Sequence, residues 1–153
     1  MEYLMLKTLH IVSAAFLFGT GLGSAFYKYR ADRGGDLRAI VFASKNVVFA
    51  DWIFTAPSVV IQPITGLLMA HWAPYALTQT WLMASIGLYV LAAGCWLPAV
   101  YLQIRMRDVA VQALERNMPL PPSYHRMARI WFWLGVPAFM AVIVIFHLMV
   151  FKP

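Results

Sequence analysis

Residues 130–151 read IWFWLGVPAFMAVIVIFHLMVF, from Ile130 to Phe151, without one Asp, Glu, Lys or Arg. A helix of that length rises about 1.5 Å per residue and so reaches across the roughly 30 Å hydrocarbon core of a bilayer. Lipid offers no hydrogen bonds to a backbone, so a stretch like this predicts a transmembrane helix, with all its peptide groups bonded internally. Three further runs have the same character: about Leu4 to Tyr27, Val47 to Ala70, and Thr80 to Leu102. Pro57, Pro63, Pro98 and Pro137 lie within these runs. Membrane helices accommodate proline with a kink, so the assignment stands. The expected fold is an all-α membrane protein, a four-transmembrane-helix bundle forming a single domain.

Composition agrees. Of 153 residues, 62% are hydrophobic and 12% charged, whereas soluble domains are about half apolar and about a quarter charged. Such a chain cannot cover itself with polar surface. Its formal charge of +6 would suggest nucleic acid in a soluble protein. Here the basic residues sit between apolar runs and read as topology signals, so no nucleic-acid partner is expected. The single cysteine, Cys95, excludes an internal disulfide and a thiolate pair for metal. The opening Met1-Glu2-Tyr3 lacks the basic start of a cleavable signal peptide, and the first apolar run is too long for one.

Lysine and arginine give the orientation. Lys28, Arg30, Arg33, Arg38 and Lys45 fall between the first two runs, and Arg105, Arg107, Arg116, Arg126 and Arg129 between the last two. Only Lys7 and Lys152 fall on the other side. The positive-inside rule makes the first side cytoplasmic and puts both termini outside, in a multi-pass protein of the bacterial inner membrane. Tyr3, Trp72, Tyr75 and Trp81 would mark the outer interface, and Tyr27, Trp52, Tyr101 and Trp131 the inner one. Beyond the inner interface, Met106 to Arg116 can continue the third helix, until Pro119, Pro121 and Pro122 stop it.

Ionisable residues inside a membrane are costly and point to function. His10 lies nearly two turns inside the outer end of the first run, roughly 9 Å deep, with His147 and His71 on the same side. Lys7, His10, Ala14, Leu17 and Gly21 share one helical face, and a flat cofactor fits over Ala14. His10 reads either as a cofactor or metal ligand, with His147 converging on it, or as a hydrogen bond to a neighbouring helix. Asp51 reads as the partner of a loop arginine; Gln62, Thr65 and Gln103 read as interhelical hydrogen-bonders. Ala15, Gly19 and Gly23 form a small-residue ridge suited to a close helix neighbour, in the bundle, a homodimer or a larger membrane complex. Met69, Met83 and Met149 are candidate soft ligands, without a Met-x-Met or Cys-x-x-Cys cluster beside them. P-loop, His-Glu-x-x-His and Gly-x-Ser-x-Gly motifs are absent from the sequence.

Several stretches carry a resemblance. They include Leu6 to Val12, Gly21 to Phe26, Ala50 to Pro57, Gln62 to Leu67, Trp96 to Pro98, Leu102 to Asp108 and Met149 to Pro153. In these the chain resembles a bacterial domain-of-unknown-function family of predicted four-helix integral membrane proteins, which implies fold and location but no activity. Lys7 to His10 and the closing Lys152-Pro153 also resemble the membrane-bound J-type protoporphyrinogen oxidase. That family is implicated in haem synthesis and is reported to bind haem b. Where it has a histidine and a lysine at the start of the third helix, this chain has Met83 and Ser85; methionine can also ligate haem iron.

The leading functional expectation is therefore a haem b or redox-linked membrane protein. His10 would be the axial ligand, His147 or Met83 would lie opposite, Lys7 would meet a propionate and His71 would be peripheral. The alternatives are a non-enzymatic accessory or assembly subunit, and copper handling.

Overall fold

The helices outrun the membrane. In the computed structural model, which describes residues 1–73 and 75–152, α1 spans Glu2–Gly34. It ends where Gly35 takes a left-handed φ of 74° and donates its N–H to the Ala31 carbonyl, a conformation that costs glycine little. Asp36 then caps α2 (Leu37–Ala50), its carboxylate accepting from the Arg38 N–H at 3.0 Å. α2 flows into α3 (Ala56–Trp72) through one π-helical turn, Asp51–Thr55, giving a continuous 36-residue helix. α4 spans Thr80–Glu115, so the expected extension beyond Met106 is present. α5 spans Pro122–Phe151, its proline placed in the first turn, where the missing N–H has no partner to lose. Four helical stretches are long and apolar enough to cross a membrane, and the described residues contain no strand.

His10 of α1 bonds Thr65 near the end of α3, and the Lys152 ammonium bonds the Tyr75 hydroxyl at 2.8 Å. Both chain ends therefore share one end of the bundle with the α3–α4 connection. The α1–α2 and α4–α5 connections form the other, basic end.

The basic end holds the densest core: Ile40, Val41, Ala99, Met106, Ala110, Tyr124 and Trp131. Lys28 sits inside it at 1% exposure, as does Tyr124. The Lys28 ammonium donates to the two Asp32 oxygens at 2.5 and 2.7 Å and to the Tyr124 hydroxyl at 2.5 Å. Tyr124 in turn donates to Asp32 Oδ1 at 2.7 Å, so α1 and α5 are tied by a fully bonded buried charge. Trp131 and Trp81 are buried in cores, while Tyr27, Trp52 and Tyr101 are exposed.

Away from the basic end the packing loosens. α5 lies along α4, and its backbone comes close to that of α1 at few positions. Large apolar side chains such as Leu9, Phe26, Ile64, Val90 and Met140 face outward, as lipid-facing positions do. Side chains added at Gly19 and Gly23 would meet nothing within 4 Å, so the small-residue ridge of α1 points away from the bundle.

Candidate functional site

A cavity of about 370 Å³ opens where α1 and α5 part. Small residues make the room: Ala14, Gly21 and Ala25 on α1, at spacings of seven and four that keep them on one face, and Ala92, Ala93 and Ala99 on α4. Aromatic walls come from Phe18, Trp96, Trp131, Phe132, Phe139 and Phe146. Phe18 also touches Phe139 and Phe146 across the gap, with ring centroids 4.7 and 5.5 Å away. Leu22, Phe132 and Val136 line the cavity and are exposed on the outer surface of α1 and α5, so its mouth lies between those helices, on the lipid side.

The lining is apolar apart from a few side chains, and three of these have an unpartnered buried atom: Asp51 Oδ2, Trp96 Nε1 and Gln103 Oε1. These are the buried, unpaired side-chain polar atoms among the described residues, and all belong to this one cavity. Asp51 is 5% exposed and Gln103 8%. The π turn positions the first: it buries Asp51 and Thr55 together, and the Thr55 hydroxyl donates to Asp51 Oδ1 at 2.8 Å. Gln103 lies beside the same carboxylate. No described cation pairs with Asp51, so the expected loop-arginine partner is replaced by a threonine. The reason is geometric: a buried inward-facing carboxylate lies out of reach of a solvated loop. Single π turns recur at functional sites because they re-aim side chains within a helix. Buried polar groups left without partners call for an explanation, one being a group not included in the protein chain.

The family model described as "Predicted integral membrane protein (DUF2269)" matches residues 4–153. The chain belongs to this family. Membership of DUF2269 brings a predicted integral membrane character, and the structure has four helices long and apolar enough to cross a membrane. No curated protein and no solved structure matches the chain. The comparisons add nothing to the resemblance to the J-type protoporphyrinogen oxidase.

The sequence-derived site residues are dispersed. His10 Nδ1 lies 2.7 Å from Thr65 Oγ1, whose hydroxyl is also within reach of the Ile61 carbonyl. With the Thr65 hydroxyl given to a backbone carbonyl, the ring completes the network by donating from Nδ1; with the hydroxyl given to the ring, Nδ1 accepts. Gln62 donates to the His10 carbonyl and to Ser13 Oγ, both at 2.7 Å. Gly66 gives the ring its seat: a Cβ there would come within 3.4 Å of His10 Cε1. His10, Gln62 and Thr65 thus form an interhelical clamp. His147 is exposed and stacks on Phe151 of its own helix, ring centroids 4.3 Å apart. No hydrogen bond or ring contact joins it to His10 among the described residues. Met83, Lys7 and His71 are exposed as well. None of these five lines the cavity, whose walls contain no imidazole and no thioether. No group of three or more His, Cys, Asp or Glu side chains is placed to hold a metal ion among the described residues.

Proposed function

We propose that this protein binds a lipophilic small molecule within the membrane, drawn through the gap between α1 and α5 into the cavity. The observation that carries this is the confinement of Asp51 Oδ2, Trp96 Nε1 and Gln103 Oε1 to one apolar cavity. Its volume lies within the range of small-molecule sites, about 300–1,000 Å³, and a few convergent polar groups on apolar walls are how such sites fix orientation. Native mass spectrometry of the gently extracted chain tests it. Wild type should retain a small lipophilic adduct, and Ala14→Phe and Ala93→Phe, which fill the cavity, should lose it. A wild type without an adduct, or variants that keep it, overturns the proposal.

The proposed setting is the bacterial inner membrane with the basic end in the cytoplasm, supported by the ten-to-two distribution of lysine and arginine. A reporter active only in the cytoplasm should stay dark at the C-terminus and be active when inserted after Gly35.

A haem b held by His10 is a second reading, favoured by its half-buried imidazole within an apolar helix. His10 does not line the cavity, so a haem held by it would lie outside, against the end of the bundle that carries the termini. An absorption spectrum of the same preparation decides it: a Soret band abolished by His10→Ala supports haem, and its absence from haem-supplied wild type rejects it. Copper handling would appear in metal analysis of that sample, and an accessory role as a stoichiometric co-purifying subunit.

A further inference from the structure

We infer that the ligand of this cavity is a lipophilic amine, with Asp51 as its counter-ion. The inference rests on the cavity being a ligand site and adds the chemistry that the site would select. Two of the three open atoms are acceptors, Asp51 Oδ2 and Gln103 Oε1, and they belong to neighbouring side chains. A primary ammonium carries three donors and no acceptor, so it satisfies both atoms at once.

Charge points the same way. Asp51 is the only acidic residue within the four apolar runs, and no described lysine, arginine or histidine pairs with it. A carboxylate with one oxygen open in a low-dielectric cavity is costly, and a cation brought by the ligand offsets that cost. A neutral hydroxyl would supply one hydrogen bond and no charge. The aromatic walls suit the same ligand, since ring faces attract cations and apolar groups alike. Trp96 and Gln103 lie seven residues apart on α4, roughly 10 Å along the helix. The indole N–H therefore meets an acceptor along the ligand's body, and the amine marks the end nearest the basic side of the bundle.

The test uses the full chain in phosphatidylcholine nanodiscs, with pyrenylbutylamine and pyrenylbutanol as matched probes. Energy transfer from tryptophan to pyrene is the readout, and Ala93→Phe supplies the background from probe dissolved in lipid. The amine should give saturable transfer above that background, while the alcohol should bind about 30-fold more weakly or worse. Asp51→Asn should weaken the amine by a similar factor, the scale expected when one partner of a buried charged pair is removed, and should leave the alcohol unchanged. Gln103→Leu should weaken the amine less, and Asp51→Glu should retain part of the binding even if the asparagine variant does not fold. Equal binding of amine and alcohol, both lost in Ala93→Phe, would overturn the amine while leaving the cavity as a site. Transfer in wild type no greater than in Ala93→Phe, for both probes, would overturn the cavity reading itself.

Discussion

Lys28 and Asp51 are both buried ionisable side chains toward the same end of the bundle, and they are treated in opposite ways. Lys28 has every ammonium proton placed, on Asp32 and Tyr124, inside the densest core of the molecule. Asp51 has one oxygen bonded to Thr55 and the other facing a cavity. A satisfied buried charge holds elements together; an unsatisfied one costs stability until something else completes it. The basic end is thus a latch, and the region beside it is an open cavity with unmet polar atoms.

Substitutions can break this contrast, and unfolding followed by circular dichroism in a mild detergent measures each. Asp32→Ala should cost most, about 3–5 kcal/mol, because it strands the Lys28 ammonium in the core. Tyr124→Phe removes one hydrogen bond to that ammonium and one to the carboxylate, and should cost about 2 kcal/mol. Thr65→Val takes away only the partner of the His10 ring, for a loss of about 1 kcal/mol, the scale of interhelical hydrogen bonds in membranes. Asp51→Asn should change stability least, by less than about 1 kcal/mol in either direction, since no protein cation depends on it. A large loss at Asp51, comparable to that at Asp32, would make the carboxylate structural and erase the distinction between the two regions. A negligible loss at Asp32 would do the same from the other side.

Much of the fold was legible. The run from Ile130 to Phe151 and its three companions specify membrane helices by length and composition alone, and the Pro119 to Pro122 stop falls where α5 begins. The latch was not legible. Lys28 reads as a topology charge in a loop, and it becomes a core residue only because α1 continues to Gly34 and α5 starts at Pro122, packing beyond the apolar runs. One wall of the cavity showed in the sequence: the face of Ala14, Leu17 and Gly21 has little bulk and does line it. The facing wall on α4 did not, because in a membrane helix the inward and lipid-facing sides are both apolar and hydrophobicity does not separate them. His10 drew attention as a buried imidazole, yet Thr65 and Gln62 engage it as interhelical bonds of the kind also expected for those two residues. Gln103, expected to behave likewise, does reach across to Asp51 on the neighbouring helix, while its carbonyl oxygen stays open to the cavity.

The π turn at Asp51–Thr55 has a consequence at the level of the gene. Each residue of an α-helix turns the chain by about 100°, so one surplus residue lets α2 and α3 hold independent headings within a single unbroken rod. α2 turns Ile40, Val41, Ser44 and Val47 into the basic-end core, while α3 turns Ser58 and Thr65 inward. Loss of a single codon between 51 and 55 would leave a rod still apolar enough to cross a membrane. It would still swing one half against the other by more than a quarter turn, so the reading frame of the helix, more than its composition, is what selection has to guard there.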